Sequence, residues 1–299
     1  MKKNLIIGTV ANYVWEDLEP FFVSYVRAGF ENTDCVMFTY NISRRTLNKI
    51  RACGVKILPM SQKWISTAVN NYRWKLYDEF LNVYHDEYKF VLALDVRDSV
   101  FQSDIFKSFD EQPFLGLAIE DGDLTERINK EWIIEAHGKE IYGSIQNERI
   151  VCTGTIFGTC EEFRKFSQEM SKTIFSRPRK IIQEMIIDQA AGNVIAHYNK
   201  TFLDVIKFSD NISGSIMTIG LTDPANIKLD ANGNIFNGAG DLPAVIHQYD
   251  RKRLIVAMVK AKYCEPVTFK KKLIGKFDRL MRKPVKVINK LRRMLVTRS

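Results

Sequence analysis

The first 120 residues alternate between short apolar runs and segments with helical spacing, and this order restricts the fold more than any other feature of the chain. Strand-like runs such as NLIIGT, CVMFTY and YKFVLALD are separated by segments in which apolar residues recur every three or four positions, as in WEDLEPFFVSYVRAG. Strands separated by helices of about 10–15 residues are typical of βαβ units. We therefore predict an α/β fold with a mostly parallel central sheet flanked by helices.

Polar residues at the carboxyl ends of the strands are the first candidates for a site, because ligands of such sheets bind beyond those ends. The fourth run leads directly into Asp95, with Arg97 and Asp98 close behind, and the fifth ends in Glu120 followed by Asp121. Carboxylates suit Mg²⁺ or Mn²⁺, which bind one or two acids together with substrate phosphates. The alternative is a solvated strand-to-loop turn. The apolar strand that brings the acids to the edge of the sheet favours a metal site.

Three features of the second half bear on the same site. His247 follows the late apolar run AVI; imidazole suits Mn²⁺ better than Mg²⁺, although a lone histidine is also common as a structural residue. Asp188 and Gln189 are predicted to lie inside a helix over about 180–197, where a carboxylate needs partners unless it faces a cleft or solvent. Gly154, in the run RIVCTGTIFGT, either lets the backbone approach a ligand or marks a bulge.

Several functional classes lack their sequence signatures. The first strand is followed by GTVANY rather than by G-x-G-x-x-G, and neither G-x-x-x-x-G-K-[ST] nor G-x-S-x-G occurs. Five cysteines without C-x-x-C spacing indicate reduced thiols rather than a disulfide framework or a zinc site. The apolar run at the start is too short for a secretory signal, and no run approaches the roughly 18 apolar residues of a membrane-spanning helix.

The positive charge is concentrated at the C-terminal end. Residues 268–299 hold twelve Lys/Arg and one acid, whereas the remaining chain has 32 Lys/Arg against 34 Asp/Glu. The net charge of +9 therefore does not indicate a nucleic-acid-binding body. Up to the helix-breaking Pro284, six apolar residues share one predicted helical face: Phe269, Leu273, Ile274, Phe277, Leu280 and Met281. This pattern is typical of an amphipathic helix on an anionic membrane. The alternative is a helix packed on the catalytic domain with a solvated basic face.

Four features, in this order along the chain, carry a family resemblance. They are the helix segment NNYRWKLYDEFL, the acidic segment LALDVRDSVFQSDIF, the strand VCTGTIFGTCEEFRKF followed later by DQAAGN, and the histidine segment VIHQYDR. Over about residues 4–252 the chain resembles metal-dependent glycosyltransferases of the GT-A fold, of the bacterial surface-polysaccharide kind, and is distantly similar to the glycogenin-like group. One departure is that the acids of the usual motif are two apart, whereas Arg97 occupies that place here and Asp98 follows.

The resemblance implies a role for each candidate residue. Asp95, Asp98 and His247 would hold Mn²⁺ or Mg²⁺ on the diphosphate of a nucleotide-sugar. The donor itself would be bound by Thr9, Asn12, Tyr13, Arg73, Asp95 and Arg97. The catalytic candidates are Asp188 and Gln189, facing the sugar, and Asp121, which with Glu120 faces the acceptor. Asp188 or Asp121 would serve as general base if the reaction inverts the anomeric centre.

We therefore expect a hexosyltransferase that moves a sugar from a nucleotide-sugar, taken to be a UDP-sugar, to a lipopolysaccharide- or capsule-type glycan. Residues 1–255 would form the catalytic domain, and residues 256–299 a basic tail holding this cytoplasmic enzyme on the inner face of the cell membrane, without a nucleic-acid partner. One alternative is a nucleotidyltransferase, whose usual Gly-rich loop is missing from GTVANYVWED. The other is a non-catalytic, membrane-docked binding protein, against which the intact Asp95 and Asp98 argue.

Overall fold

The computed structural model describes residues 1–60, 68–266, 268, 274–276 and 278–280. The strands in this part of the chain are β1 (Lys3–Ala11), β2 (Thr33–Tyr40), β3 (Lys56–Pro59), β4 (Tyr88–Leu94), β5 (Ser99–Phe101), β6 (Leu115–Asp123), β7 (Arg149–Thr159), β8 (Ile206–Ser209), β9 (Ile216–Thr218), β10 (Lys228–Leu229), β11 (Ile235–Phe236) and β12 (Val245–His247). The α-helices are α1 (Trp15–Ala28), α2 (Arg44–Ala52), α3 (Val69–Tyr84), α4 (Arg127–His137), α5 (Lys139–Ile145), α6 (Cys160–Phe175), α7 (Arg179–Glu184), α8 (Asp188–His197) and α9 (Arg253–Tyr263).

A seven-stranded sheet forms the centre of the molecule, in the order β3-β2-β1-β4-β7-β6-β8. Every neighbouring pair is parallel except the two that involve β7, which is antiparallel to both β4 and β6. The predicted α/β class with a mostly parallel sheet is therefore confirmed. Because six strands run in one direction, the carboxyl ends of β1, β4 and β6 lie at one edge of the sheet, where the first half of β7 also lies.

Both faces of the sheet are covered by helices. Along β1, Leu5 and Ile7 belong to the core packed under α3, α6 and α8, whereas Ile6 belongs to the core packed under α1 and α2. Successive side chains of a strand point to opposite faces, so a strand covered on both sides must be apolar at consecutive positions. This explains the uninterrupted runs in the sequence.

A small second sheet positions the late histidine. Strand β12 lies between β5, to which it is antiparallel, and β9, to which it is parallel. In this register His247 is paired with Ser99, the residue that directly follows Asp98. The pairing of β5 with β12 therefore brings together two candidate metal ligands that are about 150 residues apart in the chain.

The helix predicted over about 180–197 is two helices, α7 and α8, and the prediction of one continuous helix is wrong. The backbone N–H groups of Ile187 and Asp188 donate to the Asn71 side-chain oxygen on α3, at 2.9 and 3.2 Å. These contacts satisfy donors at the start of α8, which an isolated helix would leave without partners. Asp188 is therefore the first residue of a helix and not an interior one.

The C-terminal end is described only in part. Helix α9 runs across residue 255, and the division between a catalytic domain and a tail at that point stays a prediction. Beyond it, Arg279 donates to Asp17 at 2.6 Å, and the Ser43 hydroxyl donates to Asp278 at 3.2 Å. Most of the predicted amphipathic tail lies outside the described residues. Within them, no helix is both long and apolar enough to cross a membrane.

Candidate active site

Asp95, Asp98 and His247 meet at the carboxyl edge of the central sheet. One ligand atom from each lies within 4.8 Å of the others. The Nε2 atom of His247 is 3.8 Å from the nearest carboxylate oxygen of Asp95 and of Asp98. The backbone N–H of Asp95 donates to the carbonyl of Gly154 at 2.8 Å, which ties the end of β4 to β7. Two carboxylates and one imidazole form a donor set suited to Mn²⁺ and, less well, to Mg²⁺.

Two observations show that these residues fit a cation. His247 is buried, and its Nε2 atom has no hydrogen-bond partner among the described residues, although buried polar atoms are nearly always paired. A Cβ atom at Gly154 would lie 2.5 Å from Cε1 of His247 and 2.8 Å from Oδ2 of Asp95, so a side chain there would enter the space between the ligands. Glycine keeps this space open, as expected for a site where the backbone approaches a ligand.

Replacing Gly154 with alanine should therefore weaken Mn²⁺ binding by at least about tenfold, because the new methyl group displaces His247 or Asp95. The Kd for Mn²⁺ is measured by isothermal titration calorimetry. Gly143 is a matched control: it lies exposed in α5, and a Cβ there meets nothing within 4 Å. Gly143→Ala should leave Mn²⁺ affinity unchanged and, since alanine favours helix, stabilise the fold slightly. Equal Mn²⁺ affinity in the two variants would contradict the proposed cation position.

Arg73 joins the metal site to the start of α8. Only 3% exposed, it donates to Asp95, to the carbonyl of Thr153 at 2.9 Å and to Asp188 at 2.6 Å. Burial by itself would raise the pKa of Asp95, but the charges of Arg73 and His247 outweigh it and hold that pKa well below its usual range. Burial raises the pKa of Asp98 instead. The two acids therefore differ: Asp95 is held ionised by the protein, and Asp98 gains most from a bound cation.

Gln189 lies beside this ion-pair network. Its side-chain oxygen accepts hydrogen bonds from the backbone N–H and the hydroxyl of Thr153, both at 3.1 Å. In this orientation the amide nitrogen of Gln189 is available to a ligand. Asp188 and Gln189 therefore enter the site from the first turn of α8.

Two cavities meet at the candidate metal site. The smaller, of about 280 Å³, is lined by Arg73, Asp188, Gln189 and Glu120 together with the half-buried Trp132. The larger, of about 560 Å³, is lined by Thr9, Tyr13 and Arg97, among other residues. Both are lined by Asp95, Asp98 and Arg251, among other residues. A ligand that occupied both cavities would pass the carboxylates in the middle.

The residues predicted to touch a nucleotide do not all line the larger cavity. Thr9, Tyr13 and Arg97 line the larger cavity, and burial raises the pKa of Tyr13 to about 12, so its hydroxyl stays a neutral donor. Asn12 lines neither of the two cavities; its φ is 62°, and its side-chain oxygen accepts from Asn41 at 2.7 Å. Its role in nucleotide binding stays a prediction.

The two neighbouring acids of β6, Glu120 and Asp121, have different surroundings. Glu120 lines the smaller cavity and accepts a hydrogen bond from Gln248 at 3.1 Å. Asp121 lines neither cavity, and its carboxylate accepts from Asn211 at 3.1 Å and from Thr222 at 2.6 Å. Consecutive residues of a strand point to opposite faces. The general-base role of Asp121 stays a prediction, and Glu120 is the member of the pair that reaches the cavity.

The sequence pattern does not single out Arg251 or Trp132. Arg251 follows β12 closely, in the same HQYDR segment as His247, and a basic residue so near a candidate metal ligand is a signal that sequence inspection could use. Trp132 lies on α4, in a segment for which the sequence predicts no element, and no local signal places it in a cavity.

No protein-family model matches this chain, and no curated protein matches it. Among solved structures, the galactosyltransferase LgtC in complex with donor and acceptor sugar analogues is similar at 13% identity, with a TM-score of 0.50 over 88% of this chain and 97% of that one. An active-site mutant of LgtC, with glutamate in place of glutamine, is similar at 12% identity, with a TM-score of 0.52 over 90% and 99%. At this identity the likeness concerns the fold. The chain has a GT-A fold, as the order of its sequence motifs predicts.

Proposed function

We propose that the protein is a metal-dependent glycosyltransferase that moves a sugar from a nucleotide-sugar to a glycan. The observation that carries this proposal is the group formed by Asp95, Asp98 and His247 at the junction of two cavities. This arrangement suits a donor whose diphosphate lies between a nucleotide and a sugar. The solved complex of LgtC with donor and acceptor sugar analogues, in the same fold, supports it.

On the donor side, the larger cavity would take the nucleotide. Thr9 and Tyr13 offer hydroxyl groups for its ribose or base, and Arg97 and Arg251 offer positive charge near the diphosphate. Asp95, Asp98 and His247 would hold Mn²⁺ or Mg²⁺, which would neutralise charge on the leaving diphosphate. Arg73 keeps Asp95 ionised, the form that binds a cation. Its other guanidinium nitrogen pairs with Asp188, which holds the arginine side chain in place.

On the sugar side, Asp188 and Gln189 would bind hydroxyl groups of the transferred sugar, and Glu120 would accept a hydrogen bond from the acceptor. The Asp188 carboxylate is already engaged by Arg73, which donates to it at 2.6 Å. Asp121 would act as a base only after Asn211 and Thr222 released it. Among the acids, Glu120 therefore has the better position to receive the acceptor's proton.

The finer assignments are part of the same proposal. A hexose donor is supported by the galactosyltransferase name of the structural neighbour. The UDP nucleotide and the lipopolysaccharide- or capsule-type acceptor come from the family resemblance of the sequence motifs. The histidine ligand favours Mn²⁺ over Mg²⁺.

The direct test is thermal unfolding of the protein with UDP, ADP or GDP, each with and without Mn²⁺. Binding of the cognate diphosphate at a hundred times its Kd should add about 2.7 kcal/mol to the free energy of unfolding, and only when Mn²⁺ is present. Nucleotide-sugars of the preferred base are then assayed for release of the nucleoside diphosphate. Release of pyrophosphate from a nucleoside triphosphate would instead indicate a nucleotidyltransferase. The proposal is refuted if none of the three nucleotides stabilises the protein more with Mn²⁺ than without it.

We also propose that the tail holds this cytoplasmic enzyme on an anionic membrane, close to a lipid-linked acceptor. Deleting residues 268–299 removes twelve Lys/Arg, each worth about 1 kcal/mol near an anionic leaflet, and should release the protein from anionic liposomes. Transfer to a soluble acceptor should continue. Arg279→Ala is the control, because it breaks the contact with Asp17 while removing one charge. If the truncated protein still sediments with anionic liposomes, the tail is not the docking element.

A further inference from the structure

The two ring nitrogens of His247 face different groups. Nε2 points to Asp95 and Asp98, and it has no hydrogen-bond partner within the described ranges. Nδ1 lies 3.5 Å from the sulfur of Cys152, and both side chains are buried, at 1% and 2% exposure. The thiol therefore contacts the side of the imidazole that is turned away from the candidate metal position.

We propose that Cys152 is a positioning residue for the metal: its sulfur accepts a hydrogen bond from Nδ1–H of His247 and so keeps the Nε2 lone pair directed at the cation. This inference depends on the metal-binding part of the proposed function. A neutral imidazole carries one proton, and the nitrogen that holds it cannot bind a metal. Metal-binding histidines usually donate the second N–H to a carboxylate, a carbonyl or water. Here sulfur, a weaker acceptor, occupies that place.

The sulfur of Cys152 also contacts Gln248, which is hydrogen-bonded to Glu120, the residue proposed to meet the acceptor. Cys152 and Gly154 are two residues apart on β7 and therefore point to the same face of the strand. The side-chain nitrogen of Gln248 lies 3.1 Å from Glu120 and 3.7 Å from the sulfur of Cys152. A Cβ at Gly220 would come within 1.7 Å of the side-chain oxygen of Gln248, so that side chain packs directly against the glycine backbone. The orientation of the metal ligand is in this way connected to the residue that would meet the acceptor.

The test is direct Mn²⁺ binding to the full chain without donor, measured by electron paramagnetic resonance of the free ion. Cys152→Ala should raise the Mn²⁺ Kd by about 10- to 100-fold, the range for loss of a group that orients a metal ligand. Cys152→Ser should recover most of this loss, because a hydroxyl also accepts from Nδ1–H. Cys160→Ala is the control: this other buried thiol contacts the backbone carbonyl of His85, away from the site. It should leave the Mn²⁺ Kd unchanged.

The unfolding midpoint of each variant is also measured without metal. Loss of a positioning group lowers Mn²⁺ affinity and leaves this midpoint nearly unchanged, whereas disturbed packing lowers the midpoint itself. A wild-type Mn²⁺ Kd in Cys152→Ala, or equal losses in Cys152→Ala and Cys160→Ala, would overturn the inference. So would a serine variant that folds normally and binds Mn²⁺ as poorly as the alanine variant. If the wild-type chain itself does not bind Mn²⁺, the metal part of the proposed function fails first. If the chain binds Mn²⁺ and transfers no sugar, the inference about Cys152 is still decided by these measurements.

Discussion

Replacing Asp98 with asparagine should lower the rate of sugar transfer by about 1,000-fold or more and remove Mn²⁺-dependent binding of the nucleoside diphosphate. The amide preserves the shape of the side chain and removes the negative charge. A metal at a leaving group contributes several kcal/mol of transition-state stabilisation, and each 1.4 kcal/mol is a factor of ten in rate. The measurements are steady-state transfer and the thermal shift with UDP and Mn²⁺.

The metal-free protein should meanwhile keep its stability or gain some. Burial raises the pKa of Asp98, and the charges of Asp95 and Asp250 add to the effect. A carboxyl whose pKa is raised in the folded state stabilises the fold fully below its ordinary pKa of about 4, and this contribution is lost as the pH rises through the raised pKa. Ionisation of Asp98 in the folded protein therefore costs stability, and asparagine, which does not ionise, avoids this cost. The control is Asp250→Asn, which removes a nearby charge paired with Arg97 and no candidate ligand. Normal Mn²⁺-dependent binding in Asp98→Asn would contradict the site.

Replacing Arg73 with methionine should destabilise the metal-free protein by about 3–5 kcal/mol, because two carboxylates then lose their buried cation. The guanidinium pairs with both Asp95 and Asp188, and the Asp188 side chain is 2% exposed. Transfer should also fall steeply, since Asp95 and α8 lose their common anchor. The free energy of unfolding is measured in urea at neutral pH. Arg97→Met is the matched control, because Arg97 is 44% exposed and such surface pairs contribute about 0–1 kcal/mol.

Two further outcomes separate an electrostatic role of Arg73 from a packing role. Mn²⁺ should restore part of the stability of Arg73→Met, because the cation compensates Asp95. The lowered pKa of Asp95 stabilises the wild-type fold above the ordinary carboxyl pKa of about 4, and this contribution is lost as the pH falls toward the lowered value. In Arg73→Met that loss in acid should be smaller. A variant as stable as wild type at neutral pH, with the same acid dependence, would show that the buried pairs contribute nothing.

The sequence by itself determined the features that depend on local pattern. Consecutive apolar residues indicate strands covered on both faces. Ser43, directly before α2, accepts from the N–H of Thr46, and Gly29, directly after α1, adopts a φ of 65°; both residue types favour these helix ends. The position of Asp95 at the end of β4 follows from the same pattern, because the apolar run FVLAL ends directly before it. The resemblance of the ordered motifs to those of GT-A glycosyltransferases predicted the fold.

Only the tertiary structure decided which residues share a cavity, since that depends on contacts between distant parts of the chain. The reversed direction of β7 places Cys152 and Gly154 against His247, and no local pattern distinguishes this strand from a parallel one. The contact of Asn71 with the backbone at residues 187 and 188 starts α8 at Asp188, whereas the sequence alone predicts one longer helix. The register of a strand, and with it the direction of each side chain, is set by pairing and packing rather than by residue type. For that reason Glu120 reaches the cavity and Asp121 does not.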